Sequence, residues 1–215
     1  MRARINRYLS NRFAKPIAFA LGLLPFVWLV AAAVFDWLGA NPAEALERSS
    51  GDWTLRMLCV VLAITPVRTI AGLTSLARFR RMAGLFVYFY AVLHLLAYSW
   101  FDMGFELADI AKDIVKRPFI LVGFTAVVLL TPLALTSFNR AIKALGGKRW
   151  QMLHRLVYAV AVLAVVHFFW MRAGKHNFAE VAVYAAILGS LLGWRAVNAV
   201  RKRAFKPSSN LRTQL

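Results

Sequence analysis

Six stretches of about 20 mostly apolar residues divide this chain, and each is long enough to cross a bilayer as an α-helix. They run roughly Pro16–Phe35, Trp53–Thr69, Met82–Trp100, Pro118–Ser137, Trp150–Trp170 and Phe178–Val197. The segments between them are charged or carry Gly, Pro and Asn, as membrane loops do. No loop is longer than the spans themselves, and none alternates strand with helix, so no soluble domain is expected. The expected fold is an all-α integral membrane protein, one six-helix bundle over residues 1–215. Composition agrees: 60% of the 215 residues are hydrophobic and the mean hydropathy is +0.60, against about 45–50% apolar residues in a soluble domain. The first span has arginines before it and Ala31-Ala32-Ala33 near its end, like a signal peptide. Its apolar run of about 20 residues exceeds the roughly 7–15 of a signal h-region, so it reads as a retained helix.

Charge gives a direction. The chain holds 27 Lys and Arg against 9 Asp and Glu, a net +18. Four regions carry cations without acids. They are the N-terminal arm (Arg2, Arg4, Arg7, Arg12, Lys15), the region between spans two and three (Arg68, Arg78, Arg80, Arg81), that between four and five (Arg140, Lys143, Lys148, Arg149), and the C-terminal tail (Arg195, Arg201, Lys202, Arg203, Lys206, Arg212). The acids, Asp36, Glu44, Glu47, Asp52, Asp102, Glu106, Asp109, Asp113 and Glu180, all fall at the opposite ends of the spans. The positive-inside rule then places both termini in the cytoplasm of a multi-pass inner-membrane protein. Cations spread over four short segments fit anionic lipid headgroups better than nucleic acid. The single cysteine, Cys59, excludes an intrachain disulfide and reads as a small buried hydrophobe. No GxGxxG or GxxxxGK[ST] run occurs, so no dinucleotide or P-loop site is expected.

Three histidines, His94, His154 and His167, lie inside the apolar stretches. An ionisable ring in hydrocarbon is costly and usually faces the bundle interior for a purpose. For neutral imidazoles in a helical bundle the commonest purpose is to hold haem iron, as in a b-type cytochrome. At 1.5 Å per residue, His94 lies about 20 Å from the cytoplasmic edge, His154 about 6 Å and His167 about 26 Å. His94 and His167 are therefore the expected axial pair, in the outer half of the membrane. His154 is left near the cytoplasmic side. It can ligate a second, inner haem, bond a haem propionate or a quinone oxygen, or simply sit as a polar residue at the interface beside Trp150 and Arg155. His176, beside Lys175 and Asn177, reads as a solvated loop residue. Tyr88, Phe89, Tyr90 and Tyr98 around His94, and Phe168, Phe169 and Trp170 after His167, are candidates to line a porphyrin or to act as packing and interface anchors.

The run Gly147-Lys148-Arg149-Trp150-Gln151-Met152-Leu153-His154-Arg155-Leu156-Val157-Tyr158, with His167 following, resembles the ferric-reductase-like transmembrane family. Arg81-Met82-Ala83-Gly84-Leu85 leading to Leu93-His94-Leu95-Leu96, and Leu130-Thr131-Pro132-Leu133-Ala134-Leu135-Thr136-Ser137, extend the likeness over nearly the whole chain. Within the family it is most similar to the haem-binding subunits of bacterial periplasmic methionine sulfoxide reductase systems. The resemblance implies a cytochrome b that takes electrons from quinol or a cytoplasmic flavin reductase. It would pass them to a periplasmic molybdopterin enzyme that reduces methionine sulfoxide in exported proteins. It also implies FMN, for which no motif is visible. Larger relatives carry two histidines on each of the third and fifth helices and hold two stacked haems. Here the third span has only His94, and the place of an inner partner for His154 falls among Arg78, Phe79, Arg80 and Arg81. Two other readings remain open: a stand-alone ferric or quinone reductase, and a haem-free transporter or scaffold.

Overall fold

The computed structural model describes residues 1–173 and 178–204; His176, Lys175, Lys206 and Arg212 lie outside the described residues. Among the described residues every regular element is a helix. They are α1 (Arg2–Ser10), α2 (Ala14–Val34), α3 (Pro42–Ala71), α4 (Arg80–Phe101), α5 (Leu107–Lys116), α6 (Pro118–Leu135), α7 (Asn139–His154), α8 (Leu156–Ala173) and α9 (Ala179–Ala204), with a 3-10 turn at Thr74–Phe79 before α4. Six segments are long and apolar enough to cross a membrane: α2, α3, the turn with α4, α6, α7 with α8, and α9. The chain is thus an all-helical bundle of six crossings, with a basic end and an acidic end.

Two boundaries differ from the sequence expectation, and both shape the interior. The second span does not begin at Trp53 but at Pro42. Asn41 caps it, its side chain accepting from the Glu44 backbone N–H at 3.2 Å, and Pro42 occupies the first turn, where a missing N–H costs nothing. Glu44 pairs with Arg48 and Asp52 with Arg56 one helical turn on, so charges expected in a loop are absorbed along a helix. The fifth stretch is not one helix either. Its hydrogen-bond ladder is interrupted at Arg155, between α7 and α8, where the backbone keeps helical angles (φ −70°, ψ −18°), so His154 ends one helix and His167 lies on the next; the kink lies earlier, at Gly146 (φ +73°, ψ 151°).

The short helices tie the ends of the bundle. At the basic end, Asn6 of α1 donates to the Gly72 carbonyl and accepts from the Ser75 N–H, both at 3.2 Å. Gly72 can close α3 there because its φ of +70° suits a residue without a Cβ. At the acidic end, Asp113 of α5 is buried and accepts from the Tyr98 hydroxyl at 2.7 Å and Arg117 Nε at 2.9 Å. That joins α5 to α4 and to the start of α6.

Within the bundle, α3 packs along α4, α6 packs along α8, and α9 closes against α3 and α8. Leu58, Leu62, Val87, Leu130, Val160 and Leu188 form the core between them. Pro66 interrupts α3: lacking an N–H, it leaves the Leu62 carbonyl without its helical donor. Arg195 of α9 supplies one, donating Nη2 to that carbonyl at 2.5 Å while Nη1 bonds its own helix at Leu191 O, 3.1 Å. An arginine at the basic end of α9 is thereby used to satisfy a proline-freed carbonyl. We predict that Arg195→Met lowers stability by about 1–2 kcal/mol. In a Pro66→Ala background, where the N–H is restored, the loss should be smaller. Thermal unfolding of the four proteins of this cycle in detergent checks it; equal losses in both backgrounds would remove the assigned coupling.

Candidate functional site

His94 on α4 and His167 on α8 come together between the α3/α4 and α6/α8 pairs, with ring centroids 6.2 Å apart and planes at 74°. Each ring is fixed from behind. His94 Nδ1 lies 2.9 Å from the Glu47 carbonyl of α3, and His167 Nδ1 lies 2.7 Å from the Phe119 carbonyl of α6. A carbonyl only accepts, so Nδ1 carries the hydrogen in both rings and Nε2 keeps its lone pair. That is the tautomer a metal ligand needs, held by the kind of outer partner that usually orients ligating histidines.

A glycine follows each of these carbonyls by one helical turn: Gly51 after Glu47, Gly123 after Phe119. A Cβ on Gly51 would stand 3.3 Å from the His94 ring, and one on Gly123 only 2.8 Å from the His167 ring. The two imidazoles thus rest directly on helix backbone, in seats that a side chain would fill. Both seats use the same local device, a carbonyl at i and a glycine at i+4.

The pair fits a porphyrin iron. Two imidazoles on opposite sides of one metal, with metal–nitrogen bonds of about 2 Å, stand about 6 Å apart between ring centres. The observed 6.2 Å is that separation. A bare ion would need more ligands, and among the described residues no three His, Cys, Asp or Glu side chains gather to hold one.

His154 does not join the pair. Thirteen residues, about 20 Å of helix, separate it from His167. Its Nδ1 is 3.0 Å from the Trp150 carbonyl, its ring stacks on Trp150 at 3.9 Å, and its Nε2 lies 3.5 Å from the Ser137 hydroxyl, with the Leu133 backbone also in hydrogen-bonding contact with the ring. It lines a cavity of about 710 Å³ that occupies the basic end of the bundle. Arg68, Arg80, Arg81, Arg155, Arg195 and Lys202 also line this cavity, and no carboxylate is among its described lining residues. Its floor is apolar, from Val61, Leu62, Val87, Leu130 and Leu133. A cationic rim over an apolar floor suits a flat apolar molecule with anionic groups at one edge.

The aromatics flagged in the sequence mostly do other work. Tyr90 is fully buried and donates to the Gly22 carbonyl of α2 at 2.7 Å, and Phe168 packs on Tyr184 of α9. Phe169 and Trp170 are exposed on the bundle surface. Phe119, which sequence reasoning passed over, brings its ring within 6.5 Å of His167. The glycine seats were also missed. Gly123 left a signal, since it is the one glycine in a span without charged residues; Gly51 left none, because it fell in a segment read as loop.

A sequence profile described as the ferric reductase like transmembrane component matches residues 50–165. A heme-binding subunit of protein-methionine-sulfoxide reductase from Polaromonas naphthalenivorans is 66% identical over 205 residues, 95% of this chain and 94% of its own length. The chain belongs to the ferric-reductase-like transmembrane family. Another subunit of the same description, from Herminiimonas arsenicoxydans, is 51% identical over 190 residues, 88% of this chain and 87% of its own. The magnetosome protein MamZ of Magnetospirillum gryphiswaldense is 45% identical over 198 residues, covering 87% of this chain but 30% of that protein. No solved structure matches the chain. Family membership and the six apolar segments together make it a multi-pass protein of the bacterial inner membrane. The part matched by the family profile spans Gly51, His94, Gly123 and His154, and ends two residues before His167.

The seats differ in tightness, which gives an ordered expectation. Gly123→Ala should displace His167 and lower the haem bound by the purified protein well below wild type. Gly51→Ala, with 0.5 Å more room (3.3 against 2.8 Å), should lose less. Pyridine haemochrome content per polypeptide reads both; the reverse order would contradict the seating.

Proposed function

We propose that this chain is the haem-binding, electron-carrying membrane subunit of a methionine sulfoxide reductase system. The observation that carries the reading is the His94–His167 pair, with both rings in the same tautomer at the spacing one iron requires. The names of its relatives support the system. When bound, haem supplies one-electron chemistry. The chain's residues do the rest: His94 and His167 ligate, the Glu47 and Phe119 carbonyls hold their tautomers, Gly51 and Gly123 admit the rings, and the helices exclude water.

In this reading the basic end faces the cytoplasm, as the positive-inside rule requires, so both termini lie there. The His94–His167 haem then sits toward the periplasm, near a partner enzyme carrying molybdopterin that reduces methionine sulfoxide in exported proteins. His154 and the basic cavity form the second, cytoplasmic-side position, taking a second haem b. Electrons come from quinol in the membrane or from a cytoplasmic flavin reductase. FMN enters through the family resemblance alone, and no residue is assigned to it.

The test is a dithionite-reduced minus oxidised spectrum of the purified protein with a haem count. A b-type spectrum is expected, with His94→Ala and His167→Ala each losing most of the outer haem and His154→Ala retaining at least one. Full haem content in the His94 variant would overturn the ligand assignment. A featureless spectrum after expression with ample haem would end the electron-transfer reading and return the chain to a transporter or scaffold.

A further inference from the structure

The helix α5 stands between two membrane crossings without being one, and its residues divide into three faces. At about 100° per residue, Ile110, Asp113 and Ile114 fall on one side, and these are the residues of α5 that are buried or half-buried. Asp109, Lys112 and Lys116 fall on a second side and are exposed, with Lys112 Nζ 4.0 Å from Asp109. Leu107, Ala108, Ala111 and Val115 share the third side, within about 100° of arc, and all four are exposed as well. Leu107 and Val115 are each 78% exposed, more than any other large apolar side chain among the described residues except Met1. Water suits the second face and not the third.

The chain on either side holds α5 across the end of the bundle. α4 stops at Phe101, and the turn after it curls back on the helix: the Gly104 N–H donates to the Trp100 carbonyl at 3.0 Å and the Phe105 N–H to the Ser99 carbonyl at 2.8 Å. Gly104 and Phe105 take φ of +54° and +61° in succession. Glycine adopts that region freely, but an aromatic residue does so at a cost, so its surroundings hold the turn. The Phe105 ring lies 5.8 Å from that of Trp100. At the other end only Arg117 separates α5 from Pro118, the first residue of α6. Asp113 adds a tie to Tyr98 in the last turn of α4. Both ends of α5 therefore stand where α4 ends and α6 begins, and its length of about 15 Å runs across the bundle, not away from it.

We infer that α5 is an interfacial helix that beds Leu107, Ala111 and Val115 in the lipid of the acidic-end leaflet, with Lys112 and Lys116 among the headgroups. An apolar face beside a lysine-bearing face is the division found in helices that lie along a membrane boundary. Neighbouring side chains mark the same level. Trp100, Phe101 and Phe105 are exposed after α4, and Phe35 and Trp37, stacked at 5.1 Å, are exposed after α2. Tryptophan in particular gathers where acyl chains meet headgroups. A protein partner fits the stripe less well. From Leu107 to Val115 is about 12 Å along a helix about 10 Å wide, so the stripe offers about 120 Å², against about 800 Å² that each member of a stable complex covers. This placement of α5 holds whichever compartment the acidic end faces and whatever the His94–His167 pair binds.

The experiment uses the whole, unsubstituted chain in nanodiscs of phosphatidylethanolamine and phosphatidylglycerol. A lipid-soluble diazirine is photolysed to a carbene that inserts into side chains in the acyl region, and a water-soluble acetylating ester marks lysines open to water. Mass spectrometry assigns both kinds of adduct. Leu121 and Val128, exposed on the α6 crossing, are the internal standard for lipid contact. Carbene adducts on Leu107, Ala111 and Val115 at the yield of that standard are expected, with acetylation of Lys112 and Lys116. An α5 without carbene adducts, while α6 carries them, would overturn the placement: the stripe would then face water or lie under protein, a second copy of this chain included. Carbene adducts spread equally onto Lys112 and Lys116, with acetylation lost, would also overturn it, because the helix would then be submerged and not at the boundary.

Discussion

In a water-free interior an imidazole cannot leave either nitrogen unpaired without cost, and the arrangement of this bundle follows from how that demand is met. For His94 and His167 a backbone carbonyl of the adjacent helix takes the Nδ1 hydrogen. The remaining nitrogen of each ring then needs an acceptor of its lone pair, and the two rings stand where one metal can serve both. Each carbonyl is already part of a helical ladder, and that of Glu47 also accepts from the Ser50 hydroxyl at 2.9 Å, so the histidines are held without breaking α3 or α6. The carbonyl can be reached only because the glycine one turn on leaves the backbone bare.

The same demand explains the other polar groups inside. Pro66 creates an unpaired carbonyl, and Arg195 reaches across from α9 to meet it. Asp113 at the acidic end is buried only with Tyr98 and Arg117 upon it. These ties fix the pairing of helices that apolar contact alone leaves free to slide, because lipid tails compete with side chains for apolar surface on nearly equal terms.

Charge divides the molecule along its length. The basic end holds an open cavity whose described lining has six cations and no carboxylate, together with apolar residues. At the acidic end, some carboxylates are paired with arginines one turn away, as in Glu44 with Arg48, or across helices, as in Glu180 with Arg172, while Glu47 Oε1 is buried without a hydrogen-bond partner among the described residues. Cations without carboxylates at one end and acids mixed with cations at the other suit an anionic ligand or membrane surface on the first side.

Much of this was legible in the chain itself. The six crossings follow from apolar length, because a continuous run of that size has no other stable form in a bilayer. The charge asymmetry is a count along the sequence. The association of His94 with His167 followed from rise per residue, because depth along a helix is fixed by sequence position. What rests on contacts between helices was not legible. The early start of α3 depended on a cap at Asn41 and on charge pairs that only helical geometry brings together. The glycine seats, the carbonyl partners and the Arg195 tie join residues 43 to 133 positions apart, and the cavity gathers five other helices around His154. Sequence determined how deep each group lies; only the packing of one helix on another decided which groups meet, because rotation and offset between helices are set by the side chains at their contact and not by the order of residues along either one.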